Sequence, residues 1–189
     1  MKRIELLAPA KNKECGFAAI ESGADAVYIG GPSFGARVNA ANTLEDIKEL
    51  CDYAHLFGAK IHVTINTILD DQELEKAREL TFKLYDAGVD ALIIQDLGLI
   101  NGPLPPLTQQ DNSTPQKVQF LEKAGFSQVV LARELSLNDI KKIRENTTVK
   151  LEAFIHGALC VGISGRCYLS AAITGRSANR GECAQLCRV

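Results

Sequence analysis

Four of the six cysteines in this chain lie near its C-terminal end, at Cys160, Cys167, Cys183 and Cys187, with the spacing C-x6-C-x15-C-x3-C. Clustered thiols are soft ligands that suit iron–sulfur clusters and zinc. Structural zinc sites usually contain cysteine pairs separated by roughly two to four residues, and only Cys183 and Cys187 are spaced in that way. Iron–sulfur clusters accept wider and irregular spacing. The pattern therefore favours an iron–sulfur cluster and leaves zinc open.

A thiol nucleophile is the third reading of these cysteines. His156 precedes Cys160 by four residues and could act as its general base, as in a cysteine peptidase. This chemistry would employ one cysteine and leave three without a role. The remaining two, Cys15 and Cys51, fall on the apolar faces of predicted helices, where we expect them to be small core residues.

Length and composition indicate an ordinary globular domain. The chain has 189 residues, 46% hydrophobic and 23% charged, with a net charge of −2, and a single domain is expected at this size. Residues 160–189 carry four arginines and one glutamate, which suits a small anionic substrate, phosphate groups or a solvated rim. No apolar run approaches the ~18 residues of a membrane span, and the first apolar run is too short for a signal peptide. We therefore expect a cytoplasmic protein without membrane partners, whose thiols stay reduced.

A repeat organises the chain ahead of the cysteines. Gly23, Gly58, Gly88 and Gly125 each follow a helical pattern and precede a short apolar run rich in β-formers. Units of this length predict alternating helices and parallel strands, with strands near 4–8, 26–30, 60–66, 90–95, 128–133 and 150–156. A seventh, weak strand is expected around Leu104–Gln109, although prolines argue against a well-formed strand there. The predicted fold is an incomplete (β/α) TIM-barrel-like parallel sheet, with a doubly wound open sheet as the alternative.

The C-terminal ends of parallel strands in such a barrel meet on one face, where chemistry takes place. Polar residues at the predicted strand ends are the candidate catalytic groups: Asn66, Asp96, Arg133, Glu134 and His156. The loop at 31–42 extends this face and contributes Arg37 and Asn39 as candidate substrate-binding residues. We expect the cysteine-rich loop, 157–188, to leave from the same rim.

Residues 152–170, EAFIHGALCVGISGRCYLS, carry a specific signature. They resemble the pattern E-x-F-x-x-G-[SA]-aliphatic-C-x4-G-x-C-x-aliphatic-S of the collagenase-like peptidases, peptidase family U32. The matching positions are Glu152, Phe154, Gly157, Ala158, Leu159, Cys160, Gly165, Cys167, Leu169 and Ser170. The similarity extends through ELLAPA, GADAVYIGGPSFGAR, GVDALIIQD and TGRSANRGECAQLCR, and so covers nearly the whole chain.

The resemblance implies that residues 1–189 form a single N-terminal barrel-like domain of a larger RNA-modifying enzyme. It implies a 4Fe–4S cluster on Cys160, Cys167 and Cys183, with Cys187 as the fourth ligand. The implied reaction is hydroxylation at C5 of a cytidine in 23S rRNA, with prephenate as the oxygen source. A tRNA 5-hydroxyuridine synthase and a collagenase-like cysteine peptidase are the alternatives.

Several partners follow from the same resemblance. They are 23S rRNA, the anionic co-substrate and electron-transfer or iron–sulfur assembly proteins. Arg166, Arg176 and Arg180 would then bind phosphates or carboxylates through bidentate hydrogen bonds.

Overall fold

The computed structural model describes residues 4–36, 42–109 and 111–188, in which strands and helices alternate along the chain. The strands are β1 (Leu7–Ala10), β2 (Ala26–Gly30), β3 (Lys60–Ile65), β4 (Ala91–Ile94), β5 (Pro106–Gln109), β6 (Gln128–Val130) and β7 (Lys150–Glu152). The helices are α1 (Lys13–Glu21), α2 (Leu44–Leu56), α3 (Asp71–Asp86), α4 (Pro115–Ala124), α5 (Leu137–Glu145) and α6 (Leu169–Thr174). Within these described ranges, no helix is both long and apolar enough to cross a membrane.

The seven strands form one parallel sheet whose spatial order is the sequence order, from β1 to β7. A sheet in which every strand pairs with its predecessor, each after a helical crossover, curls towards a (β/α) barrel. Here it forms an incomplete barrel, which confirms the predicted fold. The doubly wound alternative is wrong, because that topology requires the strand order to reverse within the sheet.

Local sequence signals set the helix boundaries. Thr43 with Asp46 and Ser136 with Asp139 form reciprocal capping boxes at the starts of α2 and α5, as their spacing predicts. Gly125 ends α4 in the left-handed conformation, with φ +103°, which a residue without a side chain adopts at little cost. The repeated glycines therefore act as helix stops that release the chain into the next strand.

The two faces of the sheet differ in polarity. In β3, Ile61, Val63 and Ile65 are fully buried in the main core between the sheet and the helices. His62 and Thr64 alternate with them and lie on the inner face of the curl. There His62 is buried, and its Nδ1 has no hydrogen-bond partner among the described residues. Burial lowers the pKa of His62, so its ring is held neutral as a structural residue.

Four strand predictions need correction. β1 covers Leu7–Ala10 and not 4–8, and β6 ends at Val130 and not at 133. The prolines do not prevent β5, because Pro106 is the first residue of the strand, a position that needs no donated N–H. The last strand is shorter than predicted, since β7 ends at Glu152 and not at 156. Its pairing with β6 stops at the Val130–Glu152 position, and only the hydrogen bond from Leu131 N to Glu152 O lies beyond it. His156 consequently lies in irregular chain.

Candidate functional site

A cavity of about 330 Å³ lies where the C-terminal ends of the central strands meet the cysteine-rich loop. The sheet contributes a row of polar side chains that follow or end successive strands, namely Asn66, Gln95, Gln109 and Arg133. The opposite wall is formed by uncharged residues from within the segments 160–170 and 178–187, with apolar contributions from Val161, Ile163, Leu169 and Leu186. This position is the one at which barrel proteins carry out their chemistry.

All four clustered cysteines line this cavity. Cys160 and Cys167 are half-buried, Cys183 and Cys187 are exposed, and all four are free thiols. Hydrogen bonds draw the segment together, since Arg188 donates to the Leu159 carbonyl at 2.8 Å. The sequence prediction that these four thiols share one site agrees with this placement. Cys51 is buried in the main core as expected, whereas Cys15 is exposed on α1, so its predicted core position is wrong.

Gly162 keeps the space between two of the thiols open. A Cβ atom at this position would lie 3.6 Å from Sγ of Cys167 and 3.8 Å from Sγ of Cys160. It would also lie 3.3 Å from Cβ of Cys167, which is a tight contact. The glycine therefore lets the backbone pass between two candidate ligands.

The four thiols are soft donors of the kind that iron–sulfur clusters and zinc both take. Among the described residues, no three Cys, His, Asp or Glu side chains are spaced to hold one metal ion. All four thiols line one cavity, so they could together hold a group that takes several thiolates, such as an iron–sulfur cluster.

Asn66 ties the walls of the cavity together. Its Oδ1 accepts a hydrogen bond from Ala36 N at 2.8 Å, and its Nδ2 donates to Oε1 of Gln109 at 2.7 Å. The sequence prediction placed Asn66 at the site but missed Gln109. Gln109 is the last residue of β5, a segment in which the prolines argue against a well-formed strand. Recognition of β5 from its Leu-Thr-Gln run would have identified it.

Arg133 follows β6 and also lines the cavity. Its guanidinium is half-buried, and Nε is buried without a hydrogen-bond partner within the described chain. Among the described residues of the cavity wall, no other has a Lys, Arg, Asp, Glu or His side chain.

The next residue, Glu134, fixes the cysteine-rich loop. Its two carboxylate oxygens accept hydrogen bonds from Ser164 N at 3.0 Å and from Ser164 Oγ at 2.8 Å. Burial opposes ionisation, but these hydrogen bonds, together with the backbone N–H of Glu134 and the charge of Arg133, outweigh it and lower the pKa of Glu134. Glu134 is not on the cavity wall, so its geometry supports a positioning role in place of the predicted catalytic one.

Two predicted substrate-binding arginines are engaged with carboxylates. Arg166 Nε lies 2.7 Å from Oδ2 of Asp111, and Arg180 makes two contacts with Glu73, at 2.5 and 3.0 Å. Arg180 also donates to the Ile68 carbonyl at 3.0 Å. Both arginines therefore anchor the cysteine-rich loop to the body of the sheet, and the geometry does not support the predicted anion contacts.

The other predicted residues lie away from the cavity wall. Asp96 caps a short 3-10 turn by accepting from Gly98 N, and it also accepts from Leu69 N. His156 and Arg176 are exposed, and no hydrogen bond joins His156 to Cys160 in the described part of the chain. Asp96, Glu134 and His156 thus do not line this cavity, and their predicted catalytic roles stay predictions. Arg37 and Asn39 lie outside the described residues.

An incomplete parallel (β/α) barrel with a thiol-lined cavity at the C-terminal ends of its strands defines the class of this protein. The particular family follows from the sequence comparison. Residues 11–189 match the profile of peptidase family U32, and the chain belongs to that family, as the signature at 152–170 predicts.

Two curated relatives and one solved structure are similar to the chain. The 23S rRNA 5-hydroxycytidine synthase of Escherichia coli is 56% identical over 99% of this chain and 29% of its own length. The tRNA hydroxylation protein P1 of Bacillus subtilis is 42% identical over 99% of this chain and 46% of its own. A U32 peptidase of known structure has a TM-score of 0.68 at 15% identity, covering 80% of this chain and 68% of that one, and supports the fold. The chain thus spans less than half the length of these two curated relatives.

Proposed function

We propose that the protein containing this chain is an RNA-modifying hydroxylase that forms 5-hydroxycytidine in 23S rRNA. The observation that carries the proposal is the 56% identity, over nearly the whole chain, to a protein named for that product. The similarity to tRNA hydroxylation proteins supports the wider class of RNA hydroxylases.

The proposed cofactor is a 4Fe–4S cluster on Cys160, Cys167, Cys183 and Cys187, and the proposed oxygen source is prephenate. When bound, the cluster would supply the redox chemistry that amino-acid side chains lack. The placement of all four thiols around one cavity supports this ligand set. Iron–sulfur assembly or electron-transfer proteins would be the corresponding partners.

The chain's own residues would receive and orient an unstacked base. A base inside folded RNA must leave its stack before its ring carbon can be reached. The amide of Gln109 lies on the cavity wall, and while its Oε1 accepts from Asn66, its Nε2 is a donor of the kind that reads a Watson–Crick edge. Leu131, Phe154 and Ile163 line the same cavity and would exclude water from the bound ring.

The test uses the full-length protein purified without oxygen. We expect the purified protein to be brown and to contain iron and sulfide. We also expect 5-hydroxycytidine to reappear in 23S rRNA when the gene is returned to a strain from which it was deleted. Cys160→Ala and Cys167→Ala should abolish both colour and product, whereas the matched variant Cys15→Ala should keep both. A Cys160→Ala protein that retains iron and still hydroxylates rRNA would refute the proposal.

The same nucleoside digest distinguishes the alternatives. Product in tRNA and none in 23S rRNA would identify a tRNA 5-hydroxyuridine synthase. Peptide cleavage that depends on Cys160 and His156 in iron-free protein would identify a cysteine peptidase. No contact in the described chain favours that second reaction, because His156 is exposed and lies away from the cavity wall.

A further inference from the structure

Arg133 differs from the other arginines at this end of the sheet. Arg166 and Arg180 each contact a carboxylate, and Arg188 donates to a backbone carbonyl. Arg133 makes no hydrogen bond or ion pair with any described residue, although its side chain faces the cavity and its Nε is buried. Within the described residues, Arg133 is thus a cavity-lining guanidinium without a hydrogen-bonded partner, whereas the remaining arginine at this end, Arg176, is exposed.

An unpaired, half-buried cation is costly. A charged group that leaves water loses hydration free energy, which proteins normally recover through an opposite charge or hydrogen bonds. Buried polar groups without partners are rare in folded proteins, and a ligand that supplies the partner explains such a group. The neighbouring Glu134 carboxylate acts on Arg133 through its charge, but it makes no hydrogen bond or ion pair with Arg133 and both of its oxygens accept from Ser164. Because no described carboxylate lines this cavity, a bound anion would supply the direct partner that the guanidinium lacks.

The cavity walls indicate the kind of anion. A volume of about 330 Å³ is at the small end of the range for small-molecule sites. Phe154 and Ile163 line the same cavity as Arg133 and expose apolar surface, which suits an apolar ring or chain. A guanidinium binds a carboxylate through two parallel hydrogen bonds. An RNA phosphate would instead favour several cations, and the nearby Arg166 and Arg180 are already paired.

We propose that Arg133 binds the carboxylate of a small organic acid whose apolar body lies against Phe154 and Ile163. The ligand's role as co-substrate rests on the proposed function, but the binding site itself does not. Arg133 would then be a substrate-binding residue that sets specificity for an acid over a neutral analogue. The competing explanation is that Arg133 only balances the charge of metal-bound thiolates on the opposite wall.

Binding of defined probes to full-length, anaerobically purified protein tests the proposal. Isothermal titration calorimetry would compare prephenate and phenylpyruvate with the neutral analogue phenylacetamide and with inorganic phosphate. We expect the acids to bind and the amide and phosphate to bind at least tenfold more weakly. Arg133→Met should weaken acid binding at least tenfold, and Arg133→Lys should lose less, because it keeps the charge without the bidentate geometry.

Arg78→Met is the matched control, since Arg78 is an exposed arginine on α3 that pairs with Glu75; it should bind the acids as the wild type does. The proposal is overturned if the acids bind no better than phenylacetamide or phosphate. It is also overturned if Arg133→Met lowers iron content while acid affinity stays unchanged, which would identify a counter-charge to the thiolates.

These measurements use no RNA, so they separate the two proposals. Arg133-dependent acid binding without any rRNA product would support the binding site and refute the hydroxylase. If the rRNA product forms and Arg133→Met binds the acids as tightly as the wild type does, the hydroxylase is supported and the binding site is refuted.

Discussion

Glu134 and Ser164 form a two-point hydrogen bond that joins the end of the sheet to the cysteine-rich loop. The Ser164 backbone N–H and hydroxyl each donate to a different carboxylate oxygen of Glu134, at 3.0 and 2.8 Å. Ser164 lies between Cys160 and Cys167 in the sequence. This contact therefore fixes the loop that presents both thiols to the cavity.

We predict that Glu134→Ala weakens metal retention without unfolding the sheet. Loss of both acceptors should release residues 160–167, and the loss of such supporting contacts typically costs about tenfold or more in metal affinity. Iron retained during titration with a chelator, followed by absorbance, measures the effect. Glu145→Ala removes an exposed carboxylate on α5 and should leave retention unchanged.

The pH dependence of the same contact has a definite sign. The pKa of Glu134 is lowered in the folded protein because the hydrogen bonds from Ser164, together with the backbone N–H of Glu134 and the charge of Arg133, outweigh burial, so the contact contributes stability above the usual pKa of a glutamate. That contribution should disappear as pH falls through the lowered value. Equal chelation rates in wild type and Glu134→Ala at neutral pH would contradict the assignment.

We predict that Gly162→Ala lowers iron occupancy while the chain still folds. The new Cβ would lie 3.3 Å from Cβ of Cys167, so the cysteine or the loop must shift and the two sulfurs would no longer converge as before. We expect an affinity loss of about tenfold, measured as iron per protein after reconstitution. Gly35→Ala is the control, because its Cβ would meet its nearest neighbours at 3.8 Å. Equal occupancy in both variants would show that Gly162 does not separate the ligands.

The repeat and the signature identified the elements that position the site. Each lead glycine marks a helix stop, and the apolar runs after Gly23, Gly58, Gly88 and Gly125 contain β2, β3, β4 and β6. Local chemistry sets these boundaries, so the sequence alone suffices there. The placement of four thiols around one cavity was likewise foreseeable from their clustering.

The partners of individual side chains could not be foreseen. Arg180 contacts Glu73 across 107 positions of sequence, and nothing near either residue specifies that pairing. Strand ends were also misjudged, since β7 stops at Glu152 once its pairing with β6 ends. That early stop is the physical reason why His156 lies outside the cavity. The sequence thus predicted which face carries the site but not which polar groups are already paired.

We predict that substitutions of Arg180 and Glu73 have non-additive effects on the free energy of unfolding. Two contacts join them, and the side chains are 45% and 25% exposed. Solvent screens such a pair, so a double-mutant cycle of Arg180→Met and Glu73→Gln should give a coupling of about 1 kcal/mol or less. Urea unfolding at low and high salt measures it, and the coupling should shrink at high salt. Weaker RNA binding in Arg180→Met, with no coupling to Glu73, would instead restore Arg180 as a substrate contact.

Glu152, the last residue of β7, provides a prediction of opposite sign to that for Glu134. Its carboxylate accepts a hydrogen bond from Gln128 Nε2 at 2.7 Å on the inner face of the sheet. Burial raises the pKa of Glu152, with a smaller contribution from the charge of Glu5. At a pH below the usual glutamate value of about 4.3, the residue is protonated in both the folded and unfolded states and contributes no pH dependence.

Above that pH the unfolded chain releases the Glu152 proton while the folded protein keeps it. The free energy of unfolding should therefore fall as pH rises, until the raised pKa is passed, and stay level beyond it. Glu152→Gln removes this penalty and keeps an acceptor for Gln128, so its stability relative to wild type should increase from about pH 4 to about pH 7. Urea unfolding of metal-free protein across that range measures the difference, with Glu145→Gln on exposed α5 as the control. Parallel pH profiles for wild type and Glu152→Gln would show that the Glu152 carboxyl is not held protonated by its burial.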